Sequence, residues 1–341
     1  MSVRSTLGVA FTLSLSMAMV LGGCGKSESD PNAAAPSGGG KKQIAVIAKS
    51  TVNSYWKAVE AGAKQAGEEE GVEILWTGPD AETNHSQQAN MVDNMVNRGV
   101  AGIVLAPTNV DALVRPVDSA VAKGVPVVLI DSTLNSKKPV SVIATDNYAA
   151  GRMAADALVA AIGDNKKFGG KVIMLRYLEG SGSTERREQG FSDRVKEAGL
   201  TLVDSAYTKG GGSTTDAADT ADALLRRFVK DNAVQVDGIF ASNQPTAIGM
   251  LRKIEQFTAQ GTKIDVPFVG FDAHEVLLAG VRSGKVAAIV TQDPKRMGYL
   301  GVKTMVEVVT GKAAAGEINT ETATVTKANI DDPKIKAVTL E

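Results

Sequence analysis

The chain has 341 residues, of which 43% are hydrophobic and 22% charged, the balance of a globular protein with one large or two medium domains. Lys and Arg number 37 against 38 Asp and Glu, so charge gives no reason to propose nucleic acid as a partner. Nothing after residue 24 is long and apolar enough to span a bilayer.

Arg4 supplies a positive start, Leu7 to Leu21 a short apolar stretch interrupted by Ser and Thr, and Gly22-Gly23 two small residues before Cys24. That order predicts a signal peptide over 1–23 rather than a spanning helix. A cysteine directly after two small residues resembles the bacterial lipobox, which implies lipidation at Cys24. Cys24 is the sole cysteine, so no disulfide can form within the mature domain. Residues 24–42, rich in Gly, Ser, Pro, Ala and charge, cannot bury a core and predict a flexible tether.

From Gln43 onward short apolar runs alternate with helical patterns. Ile44–Ala48 is the first strand, and residues 55–67 place Trp56, Val59, Ala63 and Ala66 on one helical face. Strands follow at 72–76, 102–106 and 125–130, with helices marked by Met91 and Met95, then by Leu113, Val117 and Val121. Glycines stand just past these helices, as C-terminal caps do. The alternation resumes after residue 146, with strands predicted at 171–175, 200–206, 236–241, 266–271 and 286–291. Repeated strand–helix units predict an α/β fold with parallel, doubly wound sheets. The units are too many for one compact sheet, so two lobes are expected.

In open parallel sheets ligands bind beyond the carboxyl ends of the strands. The residues there are Lys49 to Trp56, Pro107-Thr108-Asn109, Asp131-Ser132, Arg176-Tyr177, Ser242-Asn243-Gln244, Phe271-Asp272 and Thr291-Gln292-Asp293. Hydrogen-bonding groups mixed with a few aromatics suit a polyhydroxylated ligand, whose C–H face an aromatic ring can cover. The two histidines, His85 and His274, have no partner at metal-ligand spacing, and neither a P-loop, a G-x-S-x-G nor a G-x-G-x-x-G stands at a strand–helix junction. No metal, cofactor or catalytic group is therefore expected.

Residues 43–340 resemble the type I periplasmic sugar-binding proteins, of which the ribose binders are the best known. The segments IAVIAKSTVNSYWKAVEAGAKQAG, NRGVAGIVLAPTN, KGVPVVLIDS, ATDNYAAGRMAAD, STERREQGF, VDGIFASNQPTAIGML, VPFVGFDAHE and GKVAAIVTQDPKRMGYLGVKT carry the match. The resemblance implies two α/β lobes joined by a three-segment hinge, with the ligand between them. One lobe would comprise 43–145 and 293–321, the other 146–292 and 322–341. It also implies that Asn53, Tyr55, Trp56, Asp131, Ser132, Arg187, Asn243, Phe271, Asp272 and Gln292 form the ligand site, with Trp56 stacking on the sugar ring. Ser132 falls where ribose binders carry an arginine, and Gly210–Gly212 where they carry a closing aromatic, a part for which Tyr177 or Tyr207 is available. Lys49 and Gln244 are further departures, so a small sugar (pentose, hexose or related polyol) is a safer expectation than ribose.

The resemblance thus implies an exported, monomeric solute-binding lipoprotein, held to the membrane by its lipid alone and delivering a sugar to an ABC transporter permease. An accessory presenting ligand to a chemoreceptor or sensor kinase is compatible with it. The effector domain of a LacI-type regulator shares the fold but not the signal peptide. An exported carbohydrate-active enzyme would need paired carboxylates, for which Asp131 and Asp272 are the candidates.

Overall fold

β-Branched runs become strands, and the amphipathic segments between them helices, throughout residues 41–339, which the computed structural model describes. The signal segment, Cys24 and most of the tether lie outside them. In chain order the first elements are β1 (Gln43–Ile47), α1 (Ser54–Glu70), β2 (Glu73–Thr77), α2 (His85–Arg98), β3 (Gly102–Leu105), α3 (Val114–Ala122), β4 (Val127–Ile130) and β5 (Ser141–Ala144). There follow α4 (Asn147–Ile162), β6 (Lys171–Arg176), α5 (Gly182–Glu197), β7 (Thr201–Tyr207), α6 (Thr214–Arg226), the short pair β8 (Val229–Lys230) and β9 (Ala233–Val234), β10 (Gly238–Ala241) and α7 (Gln244–Ala259). The last are β11 (Phe268–Phe271), α8 (Glu275–Ser283), β12 (Ala288–Gln292), α9 (Pro294–Val309), β13 (Glu317–Asn319), β14 (Thr322–Thr326) and α10 (Pro333–Thr339).

Two six-stranded sheets result, in the orders β13-β5-β4-β3-β1-β2 and β14-β12-β11-β10-β6-β7. Each order reverses direction at its first strand, β1 in one lobe and β6 in the other, so each lobe has a crevice at the carboxyl ends of its strands. Central strands such as β1, β3 and β4 are buried along nearly their whole length, as a sheet covered by helices on both faces requires. Burial of each Val, Ile or Leu there contributes about 1.5–3 kcal/mol. Two predicted strands begin late, β4 after Pro126 and β11 after Pro267, because proline has no N–H for the ladder. The carbonyls of both still accept, from Ile103 N and Ile239 N at 3.0 Å.

The chain passes between the sheets three times, from β5 to α4, from β12 to α9 and from β13 to β14. β14 pairs with β12 antiparallel, an exception to the expected parallel order. Both sheets direct their carboxyl ends toward the same cleft. A strand that runs straight on from one sheet into the other, with only Thr320 and Glu321 between, must therefore enter it reversed.

Helix pairs flank the cleft in matching fashion, α1 on α9 and α4 on α5. A Cβ on Gly151 would lie 1.9 Å from the Arg187 carbonyl oxygen, and one on Gly62 equally close to that of Lys295. Glycine is needed at both because backbone meets backbone. In the second lobe this contact sets the position of the turn that carries Arg187.

Candidate functional site

The strand ends converge on one cavity between the lobes. From the first lobe it is lined by Lys49, Asn53, Tyr55, Trp56, Glu82 and Asp131, and from the second by Tyr177, Ser181, Ser183, Thr184, Arg187, Asn243, Gln244, Pro245, Asp272 and Gln292. Asp131 and Asp272 stand at equivalent places, just past β4 and β11, with φ of 65° and 66°. A left-handed backbone at a non-glycine residue costs of order 1 kcal/mol and persists only where its surroundings enforce it. Here it brings each carboxylate to the cleft wall.

Asp131 is the centre of a buried polar cluster. Lys49 Nζ lies 2.6 Å from Asp131 Oδ2, and donates to Ser132 Oγ at 2.6 Å and to Ser183 Oγ at 3.0 Å. Tyr55 OH donates to Asp131 Oδ1 at 2.9 Å. Burial alone would raise the Asp131 pKa, but the Lys49 charge and the bonds from Lys49 and Tyr55 outweigh it and hold the carboxyl below its ordinary value. Burial and the Asp131 charge push the Tyr55 hydroxyl far upward, so it remains a donor.

Across the cleft, Asp272 accepts from Gln244 N at 3.0 Å and from Gln292 Nε2 at 2.7 Å. Burial raises its pKa against the opposing pull of Arg187. Arg187 is 1% exposed, donates to the Ser242 carbonyl at 2.5 Å and to Asn147 Oδ1 at 2.8 Å, and lies over the Phe271 ring at 3.5 Å. Its Nε has no partner among the described residues.

The residues expected from sequence are thus divided between two layers. Asn53, Tyr55, Trp56, Asp131, Arg187, Asn243, Asp272 and Gln292 line the cavity. Ser132 and Phe271 stand behind it, the first holding Lys49 and the second carrying Arg187. That corrects their expected place in the lining; the bulk of the Arg187 side chain separates the fully buried Phe271 ring from the cleft. Asn53 and Asn243 also cap α1 and α7, accepting from Trp56 N and Thr246 N. Of the two tyrosines available beside the Gly210–Gly212 turn, Tyr177 is in the lining, its ring packed so closely on Gly212 that a Cβ there would lie 2.7 Å from the hydroxyl. Tyr207 instead stacks under Arg176.

Glu82 escaped the sequence reading. It lies between β2 and α2, five residues past the end of the strand, where strand position alone does not mark it. It accepts from Trp56 Nε1 at 3.0 Å, which holds the indole edge-on to Tyr55, with an interplanar angle of 87°. Burial raises the Glu82 pKa, opposed by Lys49 and the Trp56 bond. A carboxyl whose pKa is raised by folding contributes stability that is present below its unfolded value, 4.5, and lost as pH climbs through the folded value. Glu82→Gln keeps an acceptor for Trp56 and removes the ionisation. The melting temperature of the variant relative to wild type should therefore improve as pH rises above 4.5; a pH-independent difference would contradict this account.

Neither histidine is in the cavity lining: His85 Nδ1 lies 2.9 Å from Thr108 Oγ1 after β3, and His274 caps α8, its Nδ1 accepting from Val276 N. Among the described residues no helix is long and apolar enough to cross a membrane.

The periplasmic binding protein domain family matches residues 44–313, most of the chain. The chain belongs to that family, in its type I sugar-binding branch. The ribose import binding protein of Bacillus subtilis is 29% identical over 317 residues, covering 91% of this chain and 95% of the relative. A carbohydrate transporter solute-binding protein of Agrobacterium radiobacter, solved with D-arabinose, is 38% identical with a TM-score of 0.80, covering 87% of this chain and 98% of that one. An ABC transporter solute-binding protein of Agrobacterium vitis, solved with D-fucose, is 36% identical with a TM-score of 0.79, covering 87% and 99%. The two sheets and three crossings give this chain the two-lobed α/β fold of its relatives.

Proposed function

We propose that this periplasmic binding protein captures a small sugar in the cleft between its lobes, without turning it over, and presents it to an ABC importer from a lipid anchor at Cys24. The observation that carries the reading is the convergence of cations, carboxylates and amides from both lobes on one cavity with aromatic walls. Asp131 and Asp272 accept from sugar hydroxyls, Arg187, Asn243 and Gln292 donate, and Tyr55, Trp56 and Tyr177 cover apolar faces. Contacts from both lobes give the ligand a higher affinity for the closed arrangement than for the open one, which is what drives closure.

Ser132 and Lys49 narrow the ligand. Where ribose binders place an arginine fork, the short Ser132 side chain leaves room for the Lys49 ammonium, a point charge in place of a planar pair of donors. An aldopentose or hexose other than ribose follows as the preferred class, in keeping with the D-arabinose and D-fucose found in the two solved relatives. A thermal-shift screen over pentoses, hexoses, 6-deoxy sugars and polyols tests this. A sugar at a hundred times its Kd adds about 2.7 kcal/mol of stability, a shift of several degrees. Failure of every sugar to raise the melting temperature, or conversion of any of them, would overturn the proposal.

A further inference from the structure

The three segments that pass between the lobes meet through their side chains. Thr145, after β5, donates its hydroxyl to Gln292 Oε1, at the end of β12, at 2.8 Å. Thr145 Oγ1 also lies 3.3 Å from Thr320 Oγ1, between β13 and β14. Thr145, Gln292 and Thr320 are 4%, 3% and 7% exposed, so these bonds are shielded from competing water. The last link runs into the cavity, from Gln292 Nε2 to Asp272 Oδ1 at 2.7 Å.

The direction of these bonds follows from the donor inventory. Asp272 accepts from Gln244 N and from the NH2 end of the Gln292 amide. The oxygen end then faces Thr145, which must donate its single hydrogen there, leaving Thr320 to donate to Thr145. Asp272 and Thr145 thereby hold the Gln292 amide from its two ends in one orientation. Neither threonine lines that cavity.

We propose that Thr320, Thr145, Gln292 and Asp272 form a directed hydrogen-bond relay that ties the hinge to the ligand site, with Thr145 and Thr320 as positioning residues. All three segments turn when the lobes part, so the bonds that bridge them are satisfied together in only one hinge setting. The relay therefore favours the closed setting, and a ligand that engages Asp272 and Gln292 strengthens it. The identity of that ligand rests on the sugar-binding reading; the hinge argument does not.

Thr145→Val keeps the shape of the side chain and removes the hydroxyl, whereas Thr145→Ser keeps the hydroxyl. Nitroxide labels on Thr83→Cys and Asp219→Cys, exposed positions of the first and second lobe, in the full chain carrying Cys24→Ser, report the separation of the lobes. With Thr145→Val the ligand-free distances should shift toward the open form. Dissociation of the best sugar from the thermal screen should quicken roughly five- to tenfold, the effect of one lost hydrogen bond. The order of preference among sugars should be unchanged, and Thr145→Ser should restore wild-type behaviour. Unchanged distances and unchanged dissociation in Thr145→Val, or a serine variant that behaves like the valine one, would overturn the relay. If no sugar binds the wild type, the functional reading falls, and the ligand-free distances alone decide the relay.

Discussion

Asp131→Ala is expected to destabilise the protein by about 3–5 kcal/mol, because it removes the carboxylate paired with the buried Lys49 ammonium. Lys49 and Asp131 are only 3% and 6% exposed in their side chains and 2.6 Å apart, so water cannot take over. The serines around Lys49 supply oxygens but no charge. Lys49→Met in the same background removes the orphaned cation and should recover much of the loss, since a buried pair replaced as a unit is often close to neutral. Denaturant unfolding of the two single variants and the double variant gives the coupling directly. Asp131 titrates below its ordinary value of 3.8 when folded. Its stabilising contribution is therefore in place above that pH and lost as pH falls through the folded value. The difference between wild type and Asp131→Ala should shrink accordingly in strong acid. A loss below about 1 kcal/mol near neutral pH, or a double variant as unstable as Asp131→Ala, would show that Lys49 does not depend on Asp131 for its buried charge. Sugar affinity should fall in all three proteins.

The order of strands and helices was legible because nearly every strand of the two sheets is a short apolar run between glycine-marked helices. β5, β13 and β14 were not: the first two are four and three residues long and set among Ser, Lys, Gly and Glu, the third is mostly Thr, and all three are held by pairing with strands elsewhere in the chain. The strand-end rule placed seven expected residues in the cavity wall because position along a strand fixes which end of the sheet a residue occupies; Arg187, inside α5, was expected only from the family resemblance. The rule could not say which side chain stands in front. Phe271 and Arg187 come from different elements, and their order in depth depends on how α5 lies against α4, set by the close approach at Gly151. Nor could it see that Lys49 reaches Ser183 of the other lobe, since that bond exists only when the lobes meet. The left-handed turns at Asp131 and Asp272 are equally hidden, because aspartate at a strand end is ordinarily no more than a helix cap.

Arg187 is where depth and charge combine, and its replacement is expected to give the largest loss of binding from the second lobe. The guanidinium is held flat by Phe271 beneath it and by acceptors on two of its nitrogens, Ser242 O and Asn147 Oδ1. Asp131 and Asp272 both act on it from the cavity side, against the burial that lowers its pKa. So fixed, it offers a ligand oxygen a donor that needs no rearrangement, and a charge-assisted hydrogen bond of this kind is worth about 1.5–3 kcal/mol. Arg187→Ala should therefore weaken sugar binding roughly 10- to 150-fold. Arg187→Lys keeps the charge but has neither the plane to lie on Phe271 nor enough spread to reach Ser242, Asn147 and the ligand together, so it should recover little of that loss. The two variants separate geometry from charge. If Arg187→Lys binds the sugar as wild type does, a positive charge alone suffices, and the planar support from Phe271, Asn147 and Ser242 is not what gives the site its affinity. Titration calorimetry of both variants against the preferred sugar distinguishes these outcomes.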